Sequence, residues 1–342
     1  MKVCQAVVMV GGKGTRLRPL TDNRPKPILP VLDRPCLSYL IDSLAKGGIK
    51  NVILACGYRS EKMAAAIGDG SREGIKIEYS YEDKPMGTAG AIKLLENKLD
   101  DVFVAVNGDV FADIDLKKEI EEHERSGASL TISLTKVKDP NEFGVVVMDD
   151  TGRITEFQEK PPKGTEISDL ANAGIYIVDK KTLKYVPEGQ IYDFSKELTI
   201  DLISKGYRVQ GHILNGLWMD VGRPRDLMGA NLAAAKRLGN RQRGDVVGET
   251  EIKGTFYLGL GGTAKDSEIS DSVISEGAAV RDSYVSNSLI MARCDITGAT
   301  VSGSIIGERC IIRKGAMVID SVLADDTMVN VNEVIRERKG IQ

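Results

Sequence analysis

The chain has 342 residues, of which 42% are hydrophobic and 28% are charged, and its formal net charge is −3 at pH 7. This length allows two domains with separate cores. The small net charge excludes a general attraction to nucleic acid or to a membrane surface, so any cationic site must be local. No apolar run reaches the roughly 18 residues that a membrane-spanning helix requires.

The N-terminal residues and the cysteines favour a cytoplasmic protein. We expect no signal peptide, because the first residues lead directly into a glycine-rich loop. The five cysteines are scattered and contain no CxxC pair. We therefore expect reduced thiols, with neither a disulfide framework nor a zinc site.

The first part of the chain alternates predicted strands and helices. Apolar runs predict strands over 3–10, 51–56, 75–80 and 102–109, with helices over 37–44, 60–67 and 88–97 between them. Further strands are predicted over 128–135, 144–148, 153–158 and 172–178. The order indicates an α/β fold with a Rossmann-like, mostly parallel sheet that becomes mixed where strands follow one another without a helix.

The pattern changes after residue 228. Residues 229–238 predict a connecting helix, and "GNRQRGD" predicts a linker. From residue 250 to 342 a short unit recurs, with serine anchors at Ser272, Ser288, Ser304 and Ser321 that are 16, 16 and 17 residues apart. This period favours a parallel β-helix, in which each coil stacks on the next. A β-sandwich with accidental spacing is the alternative.

A glycine-rich, cationic loop covers residues 10–30, "VGGKGTRLRPLTDNRPKPILP". It lacks the third glycine of the dinucleotide-binding pattern G-x-G-x-x-G and does not match the Walker A pattern. Glycines 11, 12 and 14 would let backbone N–H groups approach phosphate oxygens. Arg16 can clamp a phosphate through two N–H donors, and Lys26 adds a charge between two prolines. A solvated basic turn is the alternative.

Seven motifs in a fixed order connect this loop to a known family. After "GGKGTRLRPLT…PKP" come "PMGTAGA" (85–91), "VNGD" (106–109), "EFGVV" (142–146), "EKP" (159–161), "NAGIY" (172–176) and "WMDVGRP" (218–224). Residues 3–228 resemble the sugar-1-phosphate nucleotidylyltransferases. The resemblance implies a catalytic domain over 1–228, a connection over 229–249, and a left-handed β-helix of hexapeptide type over 250–342 that serves oligomerisation or regulation.

The reaction that the resemblance implies joins a sugar-1-phosphate to the α-phosphorus of an NTP and releases pyrophosphate. Arg16, Lys26 and Asp109 would be the catalytic residues, and Asp109 and Asp220 would hold Mg²⁺. The implied nucleotide-binding residues are Val10, Gly11, Gly12, Gly14, Thr15, Arg16, Lys26, Glu82, Gly87 and Thr88. The implied sugar-phosphate-binding residues are Gly144, Glu159, Lys160, Asn172 and Gly174.

Glu82, five residues before Gly87, bears on which base the NTP carries. The family's thymidylyl- and uridylyltransferases usually have a glutamine here, whose amide both donates and accepts. A carboxylate only accepts, and guanine offers two adjacent N–H donors. Glu82 therefore favours GTP, and the motifs look most like mannose-1-phosphate guanylyltransferases. Thymine, uracil and adenine remain alternatives, and nothing in the sequence fixes the sugar.

Other classes of function are less consistent with the sequence. A non-catalytic regulatory subunit that binds nucleotide sugars should have lost Arg16, Lys26 or a metal carboxylate, and all are present. An acyltransferase site in the β-helix would need a histidine, which residues 250–342 lack. We therefore expect NTP and sugar-1-phosphate as substrates, no nucleic acid or membrane partner, and a homo-oligomer formed through the β-helix.

Overall fold

Residue contacts divide the chain into two units in the computed structural model, which describes residues 3–57, 60–82 and 84–337. The sheet unit contains residues up to Gly12 together with Leu37–Trp218. The β-helix unit contains Lys13–Cys36 together with the residues from Met219 onward. The segment 13–36, which the linear prediction places in the catalytic domain, thus packs with the β-helix.

The sheet unit is built on a mixed sheet, which has nine strands among the described residues. Along the sheet, seven strands follow in the order Ile154–Glu159, Gly144–Met148, Leu170–Asp179, Val102–Asn107, Gln5–Met9, Asn51–Cys56 and Lys76–Tyr81. Leu130–Lys136 pairs with Leu170–Asp179 and with Val209–Ile213. The last four strands of the main order are parallel, and Leu170–Asp179 runs antiparallel to its neighbours. This confirms the predicted mixed, largely parallel sheet.

Among the described residues, five of the α-helices begin and end in or beside the sheet unit, and Pro224–Arg237 belongs to the β-helix unit. The α-helices are Cys36–Lys46, Ser60–Ile67, Gly87–Lys93, Leu116–Ser126, Thr199–Ser204 and Pro224–Arg237. Leu37, Leu40, Ile41 and Leu44 of the first helix are all buried, as their spacing predicts. The third helix ends at Lys93 instead of the predicted 97, because Leu95 N–H bonds to Ile92 O and the chain tightens into the 3₁₀ turn Glu96–Lys98.

Shorter helical turns connect these elements. The 3₁₀ turns are Thr15–Leu17, Lys26–Ile28, Ser71–Glu73, Glu96–Lys98, Pro140–Glu142 and Lys180–Tyr185, and Phe194–Leu198 is a π-helical turn. There are also two small two-stranded sheets. In one, Pro30–Val31 pairs antiparallel with Arg34–Pro35, and in the other Val110–Ile114 pairs with Gly216–Asp220. No helix in the described ranges is long and apolar enough to cross a membrane.

The second unit is a left-handed parallel β-helix. One face contains Asp245–Val247, Thr263–Lys265, Ala279–Arg281, Asp295–Thr297, Ile311–Ile312 and Met328–Val329. The other strands are Glu251–Leu258, Glu268–Ile274, Tyr284–Ser286, Leu289–Ile290, Thr300–Ser302, Ile305–Ile306, Met317–Ile319, Val322–Leu323 and Val334–Arg336. Asp245–Val247 already pairs with Thr263–Lys265, so the stack begins inside the segment predicted as a linker.

The predicted period is the coil repeat. Val273, Leu289, Ile305 and Val322 are register partners in successive coils. The anchors form a ladder, because Ser288 N–H, Ser304 N–H and Ser321 N–H each donate to the Oγ of the preceding anchor at 3.1, 3.2 and 3.1 Å. A buried polar column therefore links the coils beside the apolar interior.

The corners of the coils require left-handed backbone. Positive φ occurs just before the anchors at Asp271, Asn287, Gly303 and Asp320, residue types that tolerate this conformation. The 17-residue step arises at another corner, where Arg313-Lys314-Gly315 replaces a turn one residue shorter, Thr297-Gly298. The faces on both sides keep their register across that added residue.

Candidate active site

The glycine-rich loop changes conformation at Gly14. Its φ is 62°, and it precedes the 3₁₀ turn Thr15–Leu17, which leaves Thr15 and Arg16 exposed. Thr21 Oγ1 donates to Gly14 O at 2.9 Å. A Cβ at Gly14 would lie 3.1 Å from Thr21 Cγ2 and 3.2 Å from Lys26 Cβ. Glycine is therefore needed both for the positive φ and for close packing against Lys26.

Lys26 is buried, with 7% exposure. Pro25 precedes it in an extended conformation, and Lys26–Ile28 forms a 3₁₀ turn with Pro27. Lys26 Nζ lies 3.8 Å from Asp220 Oδ1, at the end of the strand Gly216–Asp220. Partial burial strengthens the field of such an ammonium group, because little water screens it.

Gly222 lies beside both the carboxylate of Asp220 and the guanidinium of Arg16. A Cβ there would lie 2.5 Å from Asp220 Oδ2 and 3.0 Å from Arg16 Nη2. The structure therefore gathers Arg16, Lys26 and Asp220, three of the predicted residues, within the β-helix unit. Gly222 is a contributor that the sequence reasoning missed, although it lies inside the quoted motif "WMDVGRP".

The other predicted nucleotide residues lie in the sheet unit. Val10 is buried at the end of the first strand, and its N–H donates to Ala55 O at 3.0 Å. Gly11 and Gly12 follow as exposed residues. Asp109 is half-buried just after the neighbouring strand Val102–Asn107, so it lies at the carboxyl end of parallel strands, where ligands of such sheets bind.

Gly108 explains the position of Asp109. Gly108 N–H donates to Met9 O at 2.9 Å, and a Cβ at Gly108 would collide with Val10 and Val8. The backbone before Asp109 is thus pressed against the first strand. This contact depends on two strands distant in sequence.

Glu82 is half-buried after the strand Lys76–Tyr81, and its N–H donates to Cys56 O at 3.0 Å. Burial raises the pKa of its carboxyl above the ordinary value. A half-buried acceptor of this kind gains more from a paired donor than an exposed one. The position is compatible with the predicted contact to a base.

The helix Gly87–Lys93 begins at the predicted base-binding residues. Gly87 has a φ of 74°, and a Cβ there would lie 2.7 Å from Tyr192 O. Asp193 Oδ1 accepts from Thr88 N–H at 2.9 Å and from Thr88 Oγ1 at 3.2 Å. Asp193 is a second missed residue, and no local pattern in the sequence connects it with Thr88.

Three neighbouring strands carry the predicted sugar-phosphate residues. Glu159 and Gly144 are register partners, and a Cβ at Gly144 would lie 2.8 Å from Glu159 Oε2. Lys160 is exposed, has a φ of 43°, and its N–H donates to Phe143 O at 2.9 Å. The unusual backbone turns Lys160 out of the strand, where its ammonium group is available to an anion.

The remaining two sugar-site residues lie on the strand Leu170–Asp179. Gly174 N–H donates to Asn172 Oδ1 at 2.8 Å, and Asn172 Nδ2 donates to Tyr176 Oη at 2.8 Å. Gly174 has a φ of 69°, and a Cβ there would collide with Asn107. The pairing with Leu130–Lys136 shifts between Asn172 and Tyr176, so a bulge re-aims these side chains.

Comparison with known proteins supports the family inferred from the motifs. The family model described as "Nucleotidyl transferase" matches residues 5–237, and a GlmU-like C-terminal hexapeptide model matches residues 281–338. The mannose-1-phosphate guanylyltransferase of Mycobacterium tuberculosis is 38% identical over 228 residues, which cover 65% of this chain and 62% of that protein. The UTP–glucose-1-phosphate uridylyltransferase of Synechocystis is 34% identical over 236 residues, which cover 65% of this chain and 61% of that protein.

Solved structures show the same fold. HddC from Yersinia pseudotuberculosis, solved in complex with GMP-PN, has a TM-score of 0.58 and 26% identity, covering 67% of this chain and 98% of that one. The matched region amounts to about three fifths of the length of the curated relatives above. The family model alone covers more than half of the chain. This protein therefore belongs to the nucleotidyl transferase family, as its ordered motifs predict.

Proposed function

We propose that the protein transfers a nucleotidyl group from an NTP to a sugar-1-phosphate and releases pyrophosphate. The observation that carries the proposal is the group of Arg16, Lys26 and Asp220 around Gly222. Two cations, one of them nearly buried, are suited to a triphosphate, and the carboxylate beside them is suited to a divalent cation.

The reaction needs positioning and charge neutralisation more than proton transfer. The second pKa of a phosphate monoester is about 6, so the sugar phosphate is already ionised at neutral pH. Its oxygen attacks the α-phosphorus in line, and the bond to the β-phosphate breaks. Arg16 and Lys26 would stabilise the negative charge that grows on the leaving pyrophosphate. Lys160 would hold the phosphate of the nucleophile.

We propose Mg²⁺ as the cofactor, with Asp109 and Asp220 as its protein ligands. Both offer the hard carboxylate oxygens that Mg²⁺ prefers, and phosphates and waters usually supply the rest of its shell. When bound, the ion would neutralise phosphate charge. The described residues contain no group of three or more His, Cys, Asp or Glu arranged for a metal, so the proposal concerns a site with only two protein ligands.

The sugar-1-phosphate would bind at the strands that carry Gly144, Glu159 and Asn172. Glu159 can accept hydrogen bonds from sugar hydroxyls, and the absence of a side chain at Gly144 lets the Glu159 carboxylate lie close to the backbone of the neighbouring strand. Asn172 is already oriented by Tyr176 and by Gly174 N–H. A side-chain amide whose orientation is already fixed is suited to binding a ligand with several hydroxyls.

We further propose GTP and mannose-1-phosphate as the substrates. Glu82 supports guanine, because its carboxylate can accept from the two adjacent N–H donors of that base. The relative from Mycobacterium tuberculosis is named for this pair of substrates. The relative from Synechocystis is named for UTP and glucose-1-phosphate, which makes that pair the second candidate.

A substrate matrix tests both levels of the proposal. Five NTPs would be combined with mannose-, glucose-, galactose- and N-acetylglucosamine-1-phosphate in the presence of Mg²⁺, and pyrophosphate release would be measured. We expect the highest kcat/KM for GTP with mannose-1-phosphate. Release from another pair would replace the substrates and keep the reaction. Nucleotide-sugar binding without release from any pair would indicate a regulatory protein instead.

The variant Glu82→Gln tests the base assignment directly. An amide can serve O4 and N3–H of a pyrimidine, so we expect the ratio of kcat/KM for GTP to that for UTP or dTTP to fall about tenfold or more. Glu78→Gln is the matched control, since Glu78 lies on the strand Lys76–Tyr81 that precedes Glu82 and pairs with Lys98. An unchanged NTP ranking in Glu82→Gln would contradict the assignment.

A further inference from the structure

The segment that carries Arg16 and Lys26 is tied to the β-helix by Arg24, an arginine of low exposure. Arg24 lies two residues before Lys26, and its guanidinium bonds to the carboxylates of Glu308 and Asp325. The side chain of Arg24 is only 15% exposed, and that of Asp325 is 4% exposed. A guanidinium paired with two carboxylates at low exposure is a much firmer attachment than a surface ion pair.

The two acids belong to successive coils of the β-helix. Glu308 N–H donates to Asp325 Oδ1 at 2.9 Å, and this bond fixes both partners of Arg24 relative to each other. The strands next to them, Ile305–Ile306 and Val322–Leu323, are register partners. The place that receives Arg24 is therefore built by the stacking of coils.

A second attachment lies on the other side of Lys26. Asp33 is at the tip of the hairpin formed by Pro30–Val31 and Arg34–Pro35. Its carboxylate accepts from Tyr257 Oη at 2.8 Å and from Glu276 N–H at 2.8 Å. Both donors belong to the β-helix, on coils that precede those of Glu308 and Asp325.

The chain between the two attachments has little freedom. Pro25 and Pro27 fix the backbone on both sides of Lys26. Buried Asn231 accepts from Leu32 N–H at 2.7 Å and donates to Pro30 O at 3.2 Å, from the helix Pro224–Arg237 that follows Asp220. Because the backbone on both sides of Lys26 is constrained, we expect a shift of Arg24 or Asp33 to displace Lys26.

We propose that Arg24 and Asp33 are positioning residues, through which the β-helix sets the place of the cations that grip the triphosphate. The proposal rests on the proposed nucleotidyl transfer. It gives the β-helix a direct part in the reaction of its own subunit, in addition to any part in assembly. Displacing a reacting group by about 1 Å can cost roughly 100-fold in rate.

Three variants and a matched control test the attachment at Arg24. The variants are Arg24→Gln, Asp325→Asn and the two combined. The control is Asp326→Asn, because Asp326 is the next residue, undergoes the same chemical change, and pairs with Arg309 instead of the loop. Thermal melting would establish that each variant is folded.

We expect each single variant to lose about 10- to 100-fold in kcat for pyrophosphate release, with the KM for the sugar-1-phosphate changed less than threefold. The double variant should lose no more than Arg24→Gln alone, because Arg24→Gln already removes the ion pair with Asp325. The control should retain more than half of the activity. Losses that multiply in the double variant, or an equal loss in the control, would overturn the proposal.

Hydrogen exchange gives a readout that does not depend on the reaction. Amides in residues 13–30 should exchange faster in Arg24→Gln and Asp325→Asn than in the wild type or the control, while amides of the β-helix coils stay protected. Unchanged exchange in the loop would overturn the proposal. If the wild type released no pyrophosphate from any substrate pair, the proposed function would fail, and the exchange data would still decide about the attachment.

Discussion

Because Gly222 has no side chain, the carboxylate of Asp220 and the guanidinium of Arg16 can both lie close to its backbone. In Gly222→Ala the new Cβ would lie 2.5 Å from Asp220 Oδ2 and 3.0 Å from Arg16 Nη2. Both contacts are ends of flexible side chains, so they would move and the fold would remain. We expect kcat to fall about 10- to 100-fold, and the free energy of unfolding to change by less than about 1 kcal/mol.

Two measurements check Gly222→Ala: pyrophosphate release gives kcat, and urea unfolding gives the free energy of unfolding. Gly229→Ala is a suitable control, because a Cβ there approaches only Met219 Cε, at 3.2 Å. Full activity in Gly222→Ala would show that Arg16 and Asp220 need not keep this arrangement.

At the residue scale, local motifs point to candidate side chains, whereas the residues that support those side chains become visible only in the structure. Arg16, Lys26 and Asp220 could be named because their motifs are contiguous in sequence. Asp193, which holds Thr88, lies 105 residues away from it, and such a contact leaves no periodic trace. Asn107 and Gly222 stood inside quoted motifs without a role, because only packing shows what a Cβ or an amide would meet.

The serine ladder is the polar element that joins the coils. Ser304 is buried, donates to Ser302 O at 2.7 Å, and accepts from Ser321 N–H at 3.1 Å. In Ser304→Ala, Ser321 N–H loses this acceptor, so we expect the free energy of unfolding to fall by about 1–3 kcal/mol. The urea midpoint would measure the loss.

Thr297→Ala is the control for Ser304→Ala, because Thr297 is exposed on a neighbouring strand. It should lose less than about 0.5 kcal/mol. Equal midpoints for the two variants would mean that the ladder does not stabilise the stack beyond an ordinary surface hydroxyl.

The helix Leu116–Ser126 meets the strand Val209–Ile213 through a histidine. His212 Nδ1 lies 2.8 Å from Oε1 of buried Glu119, and this hydrogen bond raises the pKa of His212 above 6.5. Burial opposes this rise in the pKa, Glu122 adds to it, and Arg125 opposes it more weakly than burial does. The folded state therefore binds the proton more tightly than the unfolded state. The resulting stabilisation is complete below pH 6.5 and is lost as pH rises through the folded-state pKa.

The other histidine acts in the opposite direction. Burial lowers the pKa of His123 below 6.5, against the weaker influence of Asp179 and Glu124. The unfolded state then binds the proton more tightly, so this group destabilises the fold as pH falls below 6.5. We expect the two histidines together to give a stability maximum near pH 6.5.

Urea unfolding from pH 5 to 9 would measure this profile. In His212→Gln the histidine-dependent decline above pH 6.5 should disappear, while the decline on acidification through His123 remains. A profile identical to that of the wild type would contradict the role of the Glu119–His212 pair.

At the element scale, hydrophobic periodicity predicted eight of the nine described strands of the mixed sheet within two residues, because burial on both faces of the sheet leaves continuous apolar runs. The helix at 88–97 was predicted too long, since apolar spacing continues through Leu94 and Leu95 although the hydrogen-bond pattern changes after Lys93. The segment 239–245 is only partly a linker, because the β-helix strand Asp245–Val247 has three residues, too few to give a periodic signal.

At the scale of the whole molecule, exposed apolar residues mark a candidate contact between subunits. Ile311 and Met328 are 41% and 48% exposed and are register partners in successive coils. We propose that this pair contributes to a homo-oligomer formed through the β-helix. Replacing both by lysine should lower the molecular mass measured by light scattering toward that of a single chain.

The control for Ile311→Lys/Met328→Lys is Leu94→Lys/Ile191→Lys, because Leu94 and Ile191 are equally apolar, at 56% and 71% exposure, and lie in the sheet unit. The control should keep the mass of the wild type. An unchanged mass in the β-helix variant would remove this pair from the interface.

The division of the chain into units could not be predicted from sequence. A linear boundary near residue 228 follows the motifs, whereas packing places Lys13–Cys36 with the β-helix. The cause is a few contacts of very long sequence separation, such as those from Arg24 to Glu308 and from Asp33 to Tyr257. A charged residue in a loop gives no sign of whether its partner is solvent or a carboxylate some 280 positions away.

The corner at Arg313-Lys314-Gly315 takes one more residue than its counterpart in the coil before it, while the strands on either side keep their pairing. Coils of unequal length can thus be neighbours, provided that the difference is confined to a corner. A β-helix of this kind can lengthen by whole coils, or grow outward projections at its corners, without altering its cross-section. The number of its coils and the loops at its corners can therefore evolve independently of the apolar interior.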